Sequence, residues 1–431
     1  MENNISRSLD LVYLGLGEGG GRLASASEVM GFAINTTKTD LDGLAIPENH
    51  KLLLSTGGTG RDPNVIRDEF SRSVKFQKDL DDFINKNLLH CDIVIATIGG
   101  GGGSGSGLAI PVIKALLSKG IKVGAIYTLP EDFQDTIVHK NALGIYQQIY
   151  SELAINGDIS PLILVDNEFI RRKFNVSIDK AYPIMNSFII SMLESFNIFS
   201  TYKSEIMSAI DKNDFLRLLN TGGCTTMQHV VIGDLKEIES AIEALNTDIF
   251  LGDGYDLTTA KTAGIIVIGS DKIFSNPLST KFIDKIFDRF RMALDEPQLI
   301  FRGVYRGRHD DKLEIRSMVS GLSFPKSKFD ELFDRTRKGV NRALRKQNRL
   351  DTIGYDLDGA SALDNNFSNE RKRRTNSSTG ETELSKEKVR KVPCDNCILD
   401  EGGSSTGKYN GSGKSPFENS ICPVCKNSGL K

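Results

Sequence analysis

The stretch IATIGGGGGSGSGLAIP, Ile95 to Pro111, decides the fold. An apolar, β-branched run, Ile93–Ile98, enters a glycine-rich segment and leaves it on an apolar helical pattern. The seven positions Gly101 to Gly107 read GGGSGSG. Glycine lets backbone N–H groups turn toward one point and lets an anion approach closely. The N-terminus of the helix that follows adds partial positive charge. Gly101, Gly102, Gly103 and Gly105, with the hydroxyls of Ser104 and Ser106, therefore read as a phosphate cradle. Most Gly/Ser tracts are flexible linkers. A linker, however, is rarely bracketed by a buried strand and an apolar helix.

A second glycine turn, GLGEGGGRLA, spans Gly15 to Ala24 after the apolar run Leu11–Leu16. It matches G-x-G-x-x-G through Gly15, Gly17 and Gly20, a signal that alone is weak and would suggest a dinucleotide site. Such a site usually offers an acid at the end of the second strand, where this chain has Asn35. Two phosphate loops at strand ends of one sheet suggest one long polyphosphate held from two sides. Further strands are expected at Gly31–Asn35, Leu52–Leu54, Lys122–Tyr127 and Leu162–Val165, with helix-like segments between them. The pattern is that of a doubly wound α/β sheet.

Residues 9–179 are thus expected to form a nucleotide-binding domain. A long central helix, residues 180–200, follows; Ile184, Phe188, Ile189, Met192, Leu193 and Phe196 recur on it at helical spacing. Residues 201–325 read as a second α/β domain, ending in a hairpin made of Gln298–Tyr305 and Leu313–Val319. A basic helix is expected over 326–350 and a polar, disordered linker over 351–391, with a basic run at Arg371–Arg374.

The whole chain has 431 residues, 39% hydrophobic and 26% charged, with a net charge of −2. It therefore exerts no global pull on nucleic acid or membrane. No apolar run has the length of a membrane span and no signal-peptide core opens the sequence, which fits a cytoplasmic protein. The five histidines form no spaced cluster. Cys394-x-x-Cys397 and Cys422-x-x-Cys425 have the spacing of two zinc knuckles, so residues 392–431 read as a small zinc-ribbon-like module binding one Zn²⁺.

The order of motifs resembles the tubulin/FtsZ superfamily. GGGSGSG resembles the tubulin signature, and GLGEGGGRLA resembles the first nucleotide loop of FtsZ and of the plasmid and phage TubZ branch. FAINTT (Phe32–Thr37), STGGTGRDPN (Ser55–Asn64) and YTLPEDF (Tyr127–Phe133) are similar to the next strand loop, the γ-phosphate loop and the ribose loop. IDKNDFLRLLN (Ile210–Asn220) resembles the catalytic loop after the central helix, and Ile300–Leu322 the last hairpin. Arg22 stands where FtsZ has an asparagine, as in TubZ.

The resemblance implies a GTPase that binds GTP with Mg²⁺ and polymerises head to tail with itself. It places nucleotide contacts at Gly17, Gly19, Gly20, Gly21, Arg22, Asn35, Gly58, Glu131 and Asn167, besides the cradle. It gives base recognition to Tyr182, by stacking, and to Asn186, by hydrogen bonding. Asp211 and Asp214 would be offered to the GTP of the neighbouring subunit, where they polarise water. Their spacing also suits plain helix capping. The TubZ-like reading implies DNA segregation through a DNA-bound adaptor, or DNA itself, reached by the tail. FtsZ-like cell division, a Rossmann NAD oxidoreductase and a non-polymerising GTP-binding interaction protein are the alternatives.

Overall fold

The computed structural model describes residues 5–27, 30–54, 57–173, 177–233, 238–247, 254–307 and 312–353. The chain divides into two compact units, Met1–Leu332 and Phe333–Lys431. The first unit contains both expected α/β regions; of the second, only residues 333–353 are described.

Ten strands form one sheet: β1 (Leu11–Leu16), β2 (Gly31–Asn35), β3 (Lys51–Leu53), β4 (Ile93–Gly99), β5 (Val123–Leu129), β6 (Ile159–Asp166), β7 (Cys224–Ile232), β8 (Thr262–Gly269), β9 (Leu299–Arg306) and β10 (Leu313–Leu322). The α-helices before the central one are α1 (Gly17–Ala24), α2 (Lys38–Asp42), α3 (Pro63–Arg72), α4 (Val74–Asn87), α5 (Gly103–Ser118), α6 (Thr136–Ile149) and α7 (Asn167–Lys173). The central helix is α8 (Ile178–Phe199). After it come α9 (Lys212–Leu219), α10 (Ile238–Thr247), α11 (Asp271–Phe274), α12 (Ser279–Ala293) and α13 (Lys326–Ile353). Among the described residues no helix is long and apolar enough to cross a membrane.

The strand order is β3-β2-β1-β4-β5-β6-β7-β10-β8-β9. The first six strands are parallel, and β1, β4, β5 and β6 are buried nearly throughout. Their sequences are accordingly continuous apolar runs rather than alternating ones. Leu11, Tyr13, Ile93 and Ile95 join a cluster with Met185, Ile189, Met192, Leu193 and Phe196 of α8. The intervening Val12, Leu14, Val94 and Ala96 are buried as well. Successive side chains point to opposite faces, so the sheet is covered on both, as a doubly wound arrangement requires.

The expected terminal hairpin is not formed. β10 pairs antiparallel with β7 and β8, while β9 pairs parallel with β8. β8 therefore lies between the two strands expected to pair. A polar turn between two apolar runs signals a reversal of direction, but it does not say which strand fills the space between them. Lys51–Leu53 likewise begins one residue earlier than expected, within the usual uncertainty of strand ends.

Polar contacts fix α8 to the sheet. Asn197 accepts from Leu9 N (2.8 Å) and donates to Leu9 O (3.0 Å), pinning the entry to β1. Glu194 accepts from the Tyr13 hydroxyl and from Arg7 Nε, both at 2.8 Å. Further along α8, Arg316 Nη1 donates to Ser191 O at 3.2 Å, and its Nε donates to Glu314 Oε1 at 2.7 Å. His229 Nε2 meets the same carboxylate oxygen at 2.7 Å.

Burial alone would raise the Glu314 carboxyl, but His229 and Arg316 overcome it and hold it at about 2. A carboxyl depressed in the folded state contributes stability that is complete above its unfolded value, about 4.3, and is lost as pH falls through the folded value. Glu314→Gln should therefore remove part of the stability loss that the wild type shows between about pH 4.3 and about pH 2. Urea unfolding across that window measures it; parallel pH profiles for the two proteins would refute the assignment.

Candidate nucleotide site

Numbered along the sheet, the chain runs outward from β1 to β2 and β3 on one side, and from β4 to β5 and β6 on the other. The neighbours β1 and β4 thus form a topological switch point, where α/β sheets present a crevice at the carboxyl ends of their strands. A cavity of about 380 Å³ lies there. Leu16 and Gly17 line it from β1 and α1, Gly99 to Gly105 from β4 and α5, and Thr128, Pro130 and Glu131 from the end of β5.

Two helix N-termini face this space. Neither α1 nor α5 has a side-chain cap, so the leading N–H groups of both are left for an anion. The two glycine turns touch. Gly17 has φ of 70°, and a Cβ there would lie 2.5 Å from Gly105 N. A Cβ on Gly105 would lie 2.6 Å from Leu16 O. Only glycine at both positions allows this approach.

Of the residues expected at the nucleotide, Gly17, Gly19, Gly58, Gly101, Gly102, Gly103, Ser104, Gly105, Glu131 and Asn167 line the cavity. The others lie outside its lining. Gly20 and Gly21 are interior to α1, where a Cβ would meet Thr97 O at 2.1 Å and Leu44 Cδ1 at 2.7 Å. Their role in the structure is close packing of α1. Arg22 reaches back to Glu18, a lining residue, at 2.7 Å. Asn35 is buried; its Oδ1 accepts from Thr36 N at 2.7 Å and its Nδ2 donates to Asp40 at 3.2 Å. It shapes the loop that carries Thr37 and Asp40 into the lining. Ser106 is buried and its Oγ has no partner among the described residues.

Tyr182 donates its hydroxyl to Glu131 Oε1 and is exposed beside the cavity rather than part of its lining. Burial and the Glu131 carboxylate raise its phenol above the ordinary range. Asn186 is half-buried one turn further along α8.

Asp211 and Asp214 do not line the cavity. They form a capping box at the start of α9: Asp211 Oδ1 accepts from Asn213 N (2.7 Å) and Asp214 N (2.9 Å), and Asp214 Oδ2 accepts from Asp211 N at 3.1 Å. The second oxygen of each has no hydrogen-bond partner among the described residues. Burial, together with the nearby Asp211 charge, raises the Asp214 carboxyl despite the hydrogen bond it accepts.

Several lining residues have no expected role: Thr37, Asp40, Thr59, Arg61, Gln134 and Val138. Thr59 and Arg61 fall inside the glycine-rich loop Ser55–Asn64, Thr37 ends the FAINTT segment, and Gln134 follows YTLPEDF directly. Asn167 is held by contacts that the motifs do not reveal. Asp166 Oδ1 caps α7 through Glu168 N (3.0 Å) and Phe169 N (3.2 Å), and Asp166 Oδ2 pairs with Lys328 Nζ at 2.5 Å. Cys394, Cys397, Cys422 and Cys425 lie outside the described residues.

No protein-family model matches the chain. Its sequence is 25% identical over 253 residues to a tubulin-like protein TubZ of Clostridium botulinum C phage, covering 56% of this chain and 68% of that one. The structure is similar to GDP-form protofilaments of TubZ from Bacillus thuringiensis serovar israelensis, with TM-score 0.68 and 19% identity over 80% of this chain and 95% of that chain. It is also similar to CetZ from Methanosaeta thermophila, with TM-score 0.60 and 20% identity over 85% and 99% of the two chains.

The touching glycine turns give a direct test. Gly17→Ala should abolish stabilisation of the protein by added nucleotide while leaving it folded, because the methyl group must push α5 away from α1. Thermal unfolding with and without nucleotide reads this; an unchanged shift in the variant would show that the contact does not shape the site. The chain has the fold of the solved TubZ and CetZ structures, and its sequence is similar to that of the phage TubZ.

Proposed function

We propose that the chain is a self-assembling GTPase of the TubZ kind, binding GTP in the cavity between its two glycine turns. The observation that carries the reading is the crossing of those turns at Gly17 and Gly105, which aims two uncapped helix N-termini into one cavity. An NAD oxidoreductase needs one such turn; a triphosphate gripped from two sides needs both. The hydroxyl of Thr37, a lining residue, has no partner among the described residues and suits a phosphate oxygen further. Mg²⁺ carried on the phosphates would neutralise developing charge, with Asp40, Glu18 and Ser104 as the nearby oxygen donors.

Hydrolysis is completed between copies. The Asp211–Asp214 pair lies outside the cavity of its own chain, with an unpartnered oxygen on each carboxylate. The preceding loop exposes Tyr202, Ile206 and Met207, and Phe133 and Ile137, next in sequence to the lining residues Gln134 and Val138, are exposed as well. Head-to-tail association would bury these apolar groups and bring the carboxylates to the neighbour's GTP. There they orient and polarise the attacking water, since phosphoryl transfer needs positioning and charge more than covalent chemistry. Solved TubZ of Bacillus thuringiensis forms two-stranded and four-stranded filaments. Tyr182 and Asn186 serve base recognition, for which the tyrosine must leave Glu131 or share it.

The tail reading rests on sequence. A CxxC…CxxC module on a basic tether would recruit a DNA-bound adaptor, or DNA, along the filament, where repetition multiplies weak contacts. Protein purified without chelator should contain about one Zn²⁺ per chain, removed by replacing Cys394 and Cys397 with serine. A zinc-free result by metal analysis would refute the module.

Asn caps helices as well as Asp does, so Asp211→Asn and Asp214→Asn should keep α9 intact. Each should bind GTP and assemble but hydrolyse it about a hundredfold or more slowly. Phosphate release and pelleting measure the two properties separately. Wild-type turnover in either variant, or loss of GTP binding, would overturn the shared-site reading.

A further inference from the structure

Two adjacent residues of β9 hold both ends of the loop that leads into the acid pair. β9 is last in the strand order, beside β8. At Val304 it also bonds to the loop after α8. Glu205 N donates to Val304 O at 2.8 Å, Val304 N donates to Ser204 Oγ at 3.1 Å, and Ser204 Oγ donates to Val304 O at 3.2 Å. At Tyr305, the phenol oxygen accepts from Ile210 N at 3.1 Å. Arg306 adds a fork to both oxygens of Glu205, at 2.9 and 3.0 Å. Ser204 and Ile210 are buried, whereas residues 205–209 between them are exposed. The loop is thus a short bow whose two feet stand on one strand.

The Tyr305 ring takes its direction from Gly303. Side chains two positions apart share one face of a strand. A Cβ on Gly303 would lie 2.5 Å from Tyr305 Cζ, so the ring lies back over the space that a side chain would fill. Phe199, the last residue of α8, packs against this buried ring with centroids 4.8 Å apart. Glycine weakens a strand interior, and it often marks a site of close approach. A buried amide such as Ile210 N needs a partner for stability alone. Ile210 is, however, the residue before Asp211, the N-cap of α9. Its side chain already belongs to the apolar core, so the phenol adds direction rather than burial.

We propose that Tyr305, aimed by Gly303, is the positioning residue of the Asp211–Asp214 pair: through Ile210 N it fixes where α9 begins, and so where both carboxylates stand when a second copy brings its GTP to them. The proposal rests on the shared-site reading given above. Tyr305 does not line the cavity of its own chain, so it acts through the backbone and not on the nucleotide. Phosphoryl transfer depends on geometry, and a displacement of about 1 Å can cost about a hundredfold in rate. GTP binding needs only the cavity of one chain and does not depend on this contact.

Tyr305→Phe keeps the ring and removes the oxygen. In the full chain, its GTP affinity by titration calorimetry should change by less than about twofold, and the amount pelleted with GTPγS should match wild type. Phosphate release per assembled subunit at saturating GTP should fall about tenfold. Gly303→Ala keeps the phenol but displaces it, and should show the same split between binding and turnover; should Tyr305→Phe not fold, this variant decides alone. Because both substitutions act through one contact, the double variant should be no slower than the slower single one. Wild-type turnover per assembled subunit, with only a lower unfolding temperature, would overturn the proposal and leave the contact a matter of stability. Weaker GTP binding in either variant would overturn it as well. Slow turnover in Asp211→Asn beside wild-type turnover in Tyr305→Phe removes this proposal alone, whereas wild-type turnover in Asp211→Asn removes the shared-site reading and the proposal with it.

Discussion

The contact on which the rest depends is backbone against backbone, between Gly17 and Gly105. Parallel pairing of β1 with β4 brings the two following helices to the same edge of the sheet. Whether their N-termini converge or clash is then a matter of a few tenths of an ångström. A methyl group on either glycine would lie within 2.6 Å of the other turn's backbone. Gly20 repeats the constraint one turn deeper, with Thr97 O 2.1 Å from where its Cβ would be. Thr97 then returns a hydroxyl hydrogen bond to Gly20 O at 2.8 Å. The glycines of α1 weaken that helix in isolation. Tertiary contact makes up the difference, and the local cost is the condition for a cavity between two helix dipoles.

Negative charge is kept apart from this cavity or tied down within it. Glu131 accepts from Tyr182, Glu18 from Arg22, and Asp40 from Asn35. The acid pair at α9 lies elsewhere on the surface of the same unit. Helix capping and the chemistry proposed for the pair do not compete. The capping box uses one oxygen of each carboxylate and fixes its direction, which leaves the second oxygen available in a defined orientation. A structural role of this kind is a form of preorganisation.

Much of this was legible in the sequence, for physical reasons. β1 and β2 span the residues expected of them, because strands buried on both faces read as nearly continuous apolar runs; the polar Asn35 at the end of β2 is hydrogen-bonded to Thr36 N and Asp40. The cradle announced itself through glycine, the residue that close approach demands. What stayed hidden depends on long-range pairing. The antiparallel insertion of β10 between β7 and β8 left no local trace, so Leu299–Arg306 and Leu313–Leu322 read as a hairpin. Lys328 lies 162 positions from Asp166, as their numbers give, and no spacing rule connects them. The glycines of α1 read as a turn because helix propensity alone forbids them in a helix.

The sheet is continuous across ten strands, yet its ladder is uneven. β7 and β10 share nine paired positions, β1 and β4 six, but β6 and β7 only two, Leu162 with Cys224 and Ile163 with Thr225. Six parallel strands carrying the cavity lie on one side of this short seam, and the four strands of the other half on the far side. A sheet is stiff in proportion to the hydrogen bonds that cross it, so this one is a plate scored along a single line. Load applied at one end of a subunit deforms the seam before it deforms either half. Packing across it, including buried Tyr146 against Cys224 at 3.4 Å, is therefore what sets how far the plate can bend.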